Sequence, residues 1–292
     1  MQSFSIRGIF MFLFLGLFLS LSVSGKEGHK PKKKRTGSIY FSWGYNQEWY
    51  TNSTIEVQQN AIGNYYKLTK VEGHDHKGWD EDGGIFHKAL TIPQYNYRLG
   101  YYFNERQDIC IEINFDHTKY IVTDGQTVHL KGTYHGRPTD TNMVFSEATG
   151  SYYYLNNGAN FLLINLVKRR GLYQSHSNNL RVDFNGKIGI GPVIPHVENS
   201  FFGLANEPHF QIGGWNAGVE TALRATFMKY AFLEFSQKFD YARYSGLRIY
   251  NGTARQAFAT YELVMSIGFI IPTTSHNPMF AKPIKLIEEE QE

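Results

Sequence analysis

The chain has a single cysteine, Cys110. No internal disulfide can form, and a zinc cage of several thiolates is excluded. After the first 24 residues no segment reaches about eighteen uncharged apolar residues, which excludes a bundle of membrane-crossing helices. Charge of one sign is scarce as well. The formal net charge is +3, and much of the surplus sits in the run His-Lys-Pro-Lys-Lys-Lys-Arg at His29–Arg35. A strongly selective pore favours one dominant sign, which this chain lacks. In a nuclear protein the basic run would suggest a localisation signal or a nucleic-acid contact. Behind an export signal it reads as a solvated tail that touches anionic lipid head groups, and no nucleic-acid partner is expected.

What the chain does have begins with that export signal. Arg7 supplies the positive n-region, Gly8–Leu21 the apolar h-region, and Ser22-Val23-Ser24 a small-residue cleavage site. The expected division is a signal peptide at 1–24, a basic tail at 25–37, one all-β domain at 38–271 and a periplasmic C-terminal tail at 272–292. Aromatic residues are abundant, with 20 Tyr and 22 Phe, as the interfacial girdles of a membrane barrel require.

The β assignment rests on period-two alternation, clearest in three successive segments over 211–271. Ala217, Val219, Leu223, Ala225 and Phe227 share a face opposite Gly218, Glu220, Arg224 and Thr226. Leu233, Phe235, Phe239 and Tyr241 oppose Glu234, Ser236, Lys238 and Asp240, and Leu263, Met265, Ile267 and Phe269 oppose Glu262, Ser266 and Gly268. These runs exceed the about 9–11 residues that cross a bilayer. Similar patterns cover 38–49, 54–71 (interrupted at 60–63), 95–104, 108–121, 127–135, 160–170 and 180–194. The reading is an antiparallel transmembrane β-barrel of about ten strands, within about eight to twelve, apolar side outward. With the N-terminus inside, connections at 136–158, 195–210 and 245–254 fall outside, while Asp124-Gly125, Lys229-Tyr230 and the 73–93 connection fall on the periplasmic side. The sequons at Asn52 and Asn251 read as turn chemistry.

Three segments carry a resemblance: Tyr40-Phe41-Ser42-Trp43-Gly44-Tyr45-Asn46, Thr91-Ile92-Pro93-Gln94-Tyr95-Asn96-Tyr97-Arg98, and Phe115-Asp116-His117-Thr118-Lys119-Tyr120. They resemble uncharacterised outer-membrane β-barrel proteins of Gram-negative bacteria. The resemblance covers the N-terminal half and implies a bacterial outer-membrane location without supplying an activity. Many outer-membrane barrels end on an aromatic residue of the last strand, whereas here Pro272–Glu292 follows Phe269.

The inward faces predict a network of Arg98, Lys131, Arg181, Lys187, Arg224 and Lys238 with Glu112, Asp183, Glu220, Glu234, Asp240 and Glu262. In a narrow barrel such charges must pair, because an isolated buried ion costs several kcal/mol. The reading is a filled, charge-paired lumen with a structural or binding role, or a narrow channel. Its partners are outer-membrane lipid and lipopolysaccharide, with a small solute or extracellular ligand besides. The barrel is expected to be a monomer without a cofactor. His74, His76 and Asp80 form the densest group of metal-ligand types, but no fixed metal spacing is matched, so no metal site is assigned. Asp116 and His117 are candidates for an acid–base pair, yet neighbours on a strand point to opposite faces. Gln174-Ser175-His176-Ser177-Asn178 resembles the His-x-Ser-Asn motif of outer-membrane lipid A deacylases, with Ser177 adjacent to His176 instead of two residues on. A lipid-modifying hydrolase is therefore the alternative to a non-enzymatic barrel. A secreted soluble β-barrel that binds an apolar ligand is a further one.

Overall fold

The computed structural model describes residues 37–76, 94–103, 106–155, 157–273 and 278–280. Among these residues there is no α-helix. Eighteen strands, numbered in chain order, divide into two groups. Eight close a ring: β1 (Ser38–Tyr50), β5 (Tyr95–Tyr102), β6 (Ile109–His117), β11 (Phe161–Gln174), β12 (Leu180–Pro192), β16 (Gly214–Phe227), β17 (Ala231–Ile249) and β18 (Gly252–Pro272). Each is antiparallel to its neighbours, and β18 pairs back onto β1.

The register fixes the size of the ring. From Ser38 the direct partners run through Tyr102, Cys110, Val167, Lys187, Glu220, Lys238 and Glu262, and return to β1 at Glu48, ten residues further along. With about 4.8 Å between strands and about 3.3 Å per residue, that stagger tilts the strands by about 40° and sets a backbone radius of about 8 Å.

The alternation sorts residues between two environments. Outward positions such as Leu223, Leu233, Met265 and Ile267 are exposed, while Arg98, Glu112, Arg224 and Glu234 on the inward register are buried. Apolar exterior around polar interior is the polarity of a barrel that meets hydrocarbon. The last turns of the belt carry an aromatic girdle, with Trp49 and Phe239 against Tyr261 at 5.7 and 4.8 Å and Trp215 beside Tyr241 at 5.8 Å.

The turns after β5, β11 and β16 lie at one end of the ring. The long excursions after β1, β6 and β12 all leave from the other, where the remaining strands build a β-sandwich. Its first sheet is β2 (Ser53–Gln59), β3 (Asn64–Val71), β8 (Gln126–Tyr134) and β9 (Arg137–Phe145). It grows directly from the upper part of β18, where Thr253–Ala257 pairs with Thr54–Gln58. The second sheet holds β4 (Gly73–His74), β7 (Tyr120–Val122), β10 (Tyr152–Leu155), β13 (His196–Phe201) and β14 (Leu204–Ala205), with β15 (His209–Phe210) beside β13. Ile55, Val57, Leu68 and Leu130 from the first sheet and Tyr120, Tyr153, Val197 and Phe201 from the second belong to one buried core.

This architecture corrects several expectations. The ring has eight strands, within the expected eight to twelve but two fewer than the central count, because 54–71 and 127–135 are strands of the sandwich. The interruption expected at 60–63 is a 3-10 turn closed by Gly63 at φ 69°. The presumed loops at 136–158 and 195–210 contain β9, β10 and β13 to β15. The outer connection at 245–254 shrinks to a tight turn at Tyr250-Asn251, with Asn251 at φ 47°. The turn at Asp124-Gly125 lies at the sandwich end, where the connection of 73–93 also leaves β4 and returns to β5. The signal peptide at 1–24, most of the basic tail, residues 281–292 and Asp80 lie outside the described residues.

The outward face makes one prediction. Met265→Arg places a cation in the middle of the apolar belt and is expected to cost about 2–4 kcal/mol of folding stability. Thr141→Arg on the exposed sandwich surface is expected to cost far less. Equilibrium urea titrations in phospholipid vesicles measure both, and equal tolerance would show that Met265 does not face lipid.

Candidate functional site

Among the described residues the lumen gathers charged side chains in the greatest number. At its centre Glu234 on β17 accepts from three cations: Arg224 Nε at 2.6 Å, Lys187 Nζ at 3.0 Å and Arg98 at 3.2 Å. Lys187 also reaches Glu220 at 3.1 Å and Glu112 at 3.2 Å, and Arg98 pairs closely with Glu220. Neutral donors add to Glu112 and Glu234. Tyr40 donates to Glu112 at 2.5 Å, Asn165 to Glu112 at 2.8 Å and Asn185 to Glu234 at 3.1 Å. Every one of these side chains is buried.

Below the hub, towards the short turns, Arg224 lies between two aromatic faces, 4.2 Å from the Tyr40 ring centre and 4.1 Å from that of Phe232. Glycine makes this sandwich possible. A methyl group on Gly100 would stand 2.2 Å from the Tyr40 ring, and one on Gly268 would stand 2.3 Å from Phe232. The same apolar layer includes Tyr102, Val167, Ile270 and, from the C-terminal segment, Met279 and Phe280. Arg181 holds that segment by donating to the Met279 carbonyl at 2.6 Å. It also pairs with Asp183 at 2.9 Å, and Asp183 is 3.5 Å from Arg169.

Above the hub the balance turns acidic. Lys238 pairs closely with Asp116, sits 2.8 Å from Asp240 and 3.4 Å from Glu262. Asn46 donates to Glu262 at 2.8 Å and to Glu48 at 3.1 Å. Tyr50 closes this layer with its hydroxyl on Glu48 and on the Lys119 carbonyl. Tyr120 stacks on Phe258 at 4.5 Å above it. Burial pushes the Tyr120 hydroxyl up to about 12, so it stays a neutral donor–acceptor between Ser53 and Gln256.

The structure thus brings together Arg98, Glu112, Glu220, Arg224, Glu234 and Lys187, and separately Lys238, Asp240 and Glu262, with Arg181 and Asp183 at the lower mouth. Lys131 is not in the lumen. It sits on the exposed side of the sandwich, 3.0 Å from Asp140, because its strand does not belong to the ring. Asp116 and His117 do point to opposite faces: Asp116 turns inward to Lys238, and His117 turns outward, 2.8 Å from Asn160 and stacked on Tyr95. His176 and Ser177 lie in the turn after β11, where the Ser177 hydroxyl is 3.3 Å from that of Ser175. His74 contacts Thr123 at 3.2 Å, and burial followed by the proximity of His76 holds its imidazole below the ordinary pKa. Among the described residues no group of three His, Cys, Asp or Glu side chains could hold a metal ion. The network read from the sequence omits Glu48, Asn165 and Arg169, although each lies on the inward register of the alternating segments at 38–49 and 160–170.

Fold and site together define a membrane-type antiparallel β-barrel with a charge-paired, side-chain-filled lumen. No protein-family model matches the chain, and no curated protein does. Among solved structures it is similar to the outer membrane protein OprG from Pseudomonas aeruginosa, at 10% identity and a TM-score of 0.37 over 81% of this chain and 97% of that one. It is similar also to Neisserial surface protein A, at 8% identity and 0.33 over 80% and 96%. A third is the attachment invasion locus protein Ail of Yersinia pestis, at 12% identity and 0.31 over 81% and 99%.

The hub yields a stability prediction. Glu234→Gln removes the charge shared by three buried cations and is expected to cost about 3–5 kcal/mol. Glu56→Gln, whose partners Lys67 and Arg255 are exposed, is expected to cost less than about 1 kcal/mol. Urea unfolding of both variants decides, and a small cost at both positions would mean that water reaches the hub.

Proposed function

We propose that this protein is a non-conducting outer-membrane barrel that anchors its β-sandwich at the cell surface and acts by binding there. The observation that carries the reading is the continuous filling of the lumen. Arg98, Arg224, Tyr40, Tyr102, Phe232 and Lys238 are among the largest fully buried side chains of the described residues. A solute would have to separate Glu234 from its cations and also displace the aromatic layers above and below. Neither step is compatible with free diffusion.

The sandwich supplies the binding half of the proposal. Its core is shared with the extended ends of β17 and β18, which contribute Tyr244, Leu247, Ala254 and Phe258, so it forms a rigid platform instead of a set of free loops. Tyr65, Val144, Phe210 and Ile212 expose large apolar side chains at this end. Exposed apolar groups beside polar ones suit contact with another macromolecule or with an extracellular ligand. The belt would be surrounded by membrane lipid, with lipopolysaccharide on the outer side, and the chain would act as a monomer. The export signal, the exterior belt and the end-to-end polarity of the turns support this placement.

Two measurements test it. Purified protein in planar bilayers is expected to give no steady single-channel conductance; a large steady current would replace this reading with a porin. Orientation is read by thiol labelling, for which buried Cys110 gives a silent background. On intact cells a membrane-impermeant maleimide should label Val144→Cys and leave Lys229→Cys unlabelled. Labelling of Lys229→Cys alone would invert the orientation and remove the sandwich from the cell surface.

A further inference from the structure

Most strand glycines of the ring are explained by what lies against them. A methyl group would meet Asn165 at 1.8 Å from Gly189, the Leu162 carbonyl at 1.9 Å from Gly191 and Asp240 at 1.8 Å from Gly218. Gly186 is different. It lies in the middle of β12, its φ is not positive, and the nearest atom to an added methyl group is a ring carbon of Phe184 at 3.9 Å. Packing inside the protein does not require glycine there. Such a glycine weakens a strand and marks places where something else approaches the backbone.

Gly186 faces outward and is the floor of a groove of about 360 Å³ on the apolar belt. Leu166, Ile188 and Val219 form its walls, with Lys168 and Thr221 at its edges. The register explains why the belt opens at this point. Lys168, Gly186, Thr221 and Gln237 are direct partners across β11, β12, β16 and β17, so four adjacent strands lack a large apolar side chain along one line.

The charge beside the groove indicates what fills it. Lys168 and Arg170 both face outward on β11, towards the short-turn rim. Arg106 and Lys229 are exposed in the turns of the same rim. Asp108 pairs with Lys168 at 2.5 Å and is the acidic counterpart among the described residues there. A long lysine in the belt can run its stem along the apolar wall and present its ammonium at the interface. Basic side chains at that level attract anionic head groups.

We infer that the groove over Gly186 is a binding site for one anionic phospholipid of the leaflet on the short-turn side, its acyl chain lying between Leu166, Ile188 and Val219 and its phosphate held by Lys168 and Arg170. The inference rests on the membrane-spanning reading of the barrel. Glycine leaves room for the chain, and the basic pair selects the head group. A neutral lipid fills the groove equally well but gains nothing at the rim.

Native mass spectrometry of the barrel released from nanodiscs of mixed phosphatidylethanolamine and phosphatidylglycerol tests the site. Wild type is expected to retain one phosphatidylglycerol through delipidation, and Gly186→Leu, which fills the groove from a position with room for a side chain, to retain about tenfold less. The double variant Lys168→Gln/Arg170→Gln is expected to keep a lipid and lose the preference for phosphatidylglycerol. Heat-modifiability on gels is followed in the same samples to show that each variant is a folded barrel. Equal phosphatidylglycerol retention by folded wild type and folded Gly186→Leu overturns the site and leaves the membrane barrel standing. Failure of the folded wild type to enter nanodiscs overturns both.

Discussion

A ring of eight strands with a stagger of ten residues encloses a space of about 8 Å backbone radius, and every second residue of every strand must place its side chain there. In this chain many of those residues are charged. They are buried, with little room to move apart, so each is stabilised by the opposite charges that the register sets against it. Glu234 is the point where this constraint is met. Its carboxylate is reached by cations from β5, β12 and β16, and so ties its own strand to three others across and along the wall. The pairing is an interior clamp added to the backbone ladder of the ring.

The same constraint explains the residues around the hub. Arg224 offers Glu234 its Nε edge and has its flat faces covered by Tyr40 and Phe232, which suits a weakly hydrated guanidinium better than an ammonium. Those two rings in turn require glycine opposite them, at Gly100 and Gly268. A hydrogen bond in the lumen therefore dictates backbone composition on neighbouring strands. At the far end the strands outrun the bilayer: β17 spans 19 residues and β18 spans 21. Their protruding ends have an unpaired edge, which β2 covers, and the first sheet of the sandwich follows from that pairing.

Much of this was legible in the sequence, and the part that was not has a single physical cause. Alternation reports that one face of a strand is apolar; it does not say what the apolar face touches. Leu223 and Leu233 are exposed on the outer wall of the ring, whereas Ile55 and Leu130, in strands of the same pattern, are buried between two sheets. Both kinds read alike, so 54–71 and 127–135 were counted into the barrel and Lys131 was carried into the lumen with them. Counting them into the ring also moves the turn at Asp124-Gly125 to the short-turn end, since one misplaced strand reverses the end at which the next connection falls. The clearest ring strands, β12, β16 and β17, carry both signs of charge on one long alternating face, and charge on the polar face is what continues around the ring. Glu48 lies at the very end of the alternating segment 38–49, while in the structure β1 continues to Tyr50 and keeps Glu48 on the inward register.

A filled lumen also constrains where this protein can exchange anything with its surroundings. Opening the centre means separating Glu234 from Arg98, Lys187 and Arg224, and loss of one partner from such a buried group costs about 3–5 kcal/mol. The aromatic layers to either side would have to yield in the same step, since Tyr40 bonds Glu112 at one edge and stacks on Arg224 at its face. Motions of that kind are concerted and rare. Contacts made on the outside carry no such cost, because the strand backbone is already paired and the outward side chains are free to accommodate a ligand. The two outside surfaces that depart from plain lipid contact are the sandwich with its exposed Tyr65 and Val144, and the groove that Gly186 leaves in the belt. In this barrel the paired interior ties the strands together, and the outer surface is where a contact can form without separating buried charges.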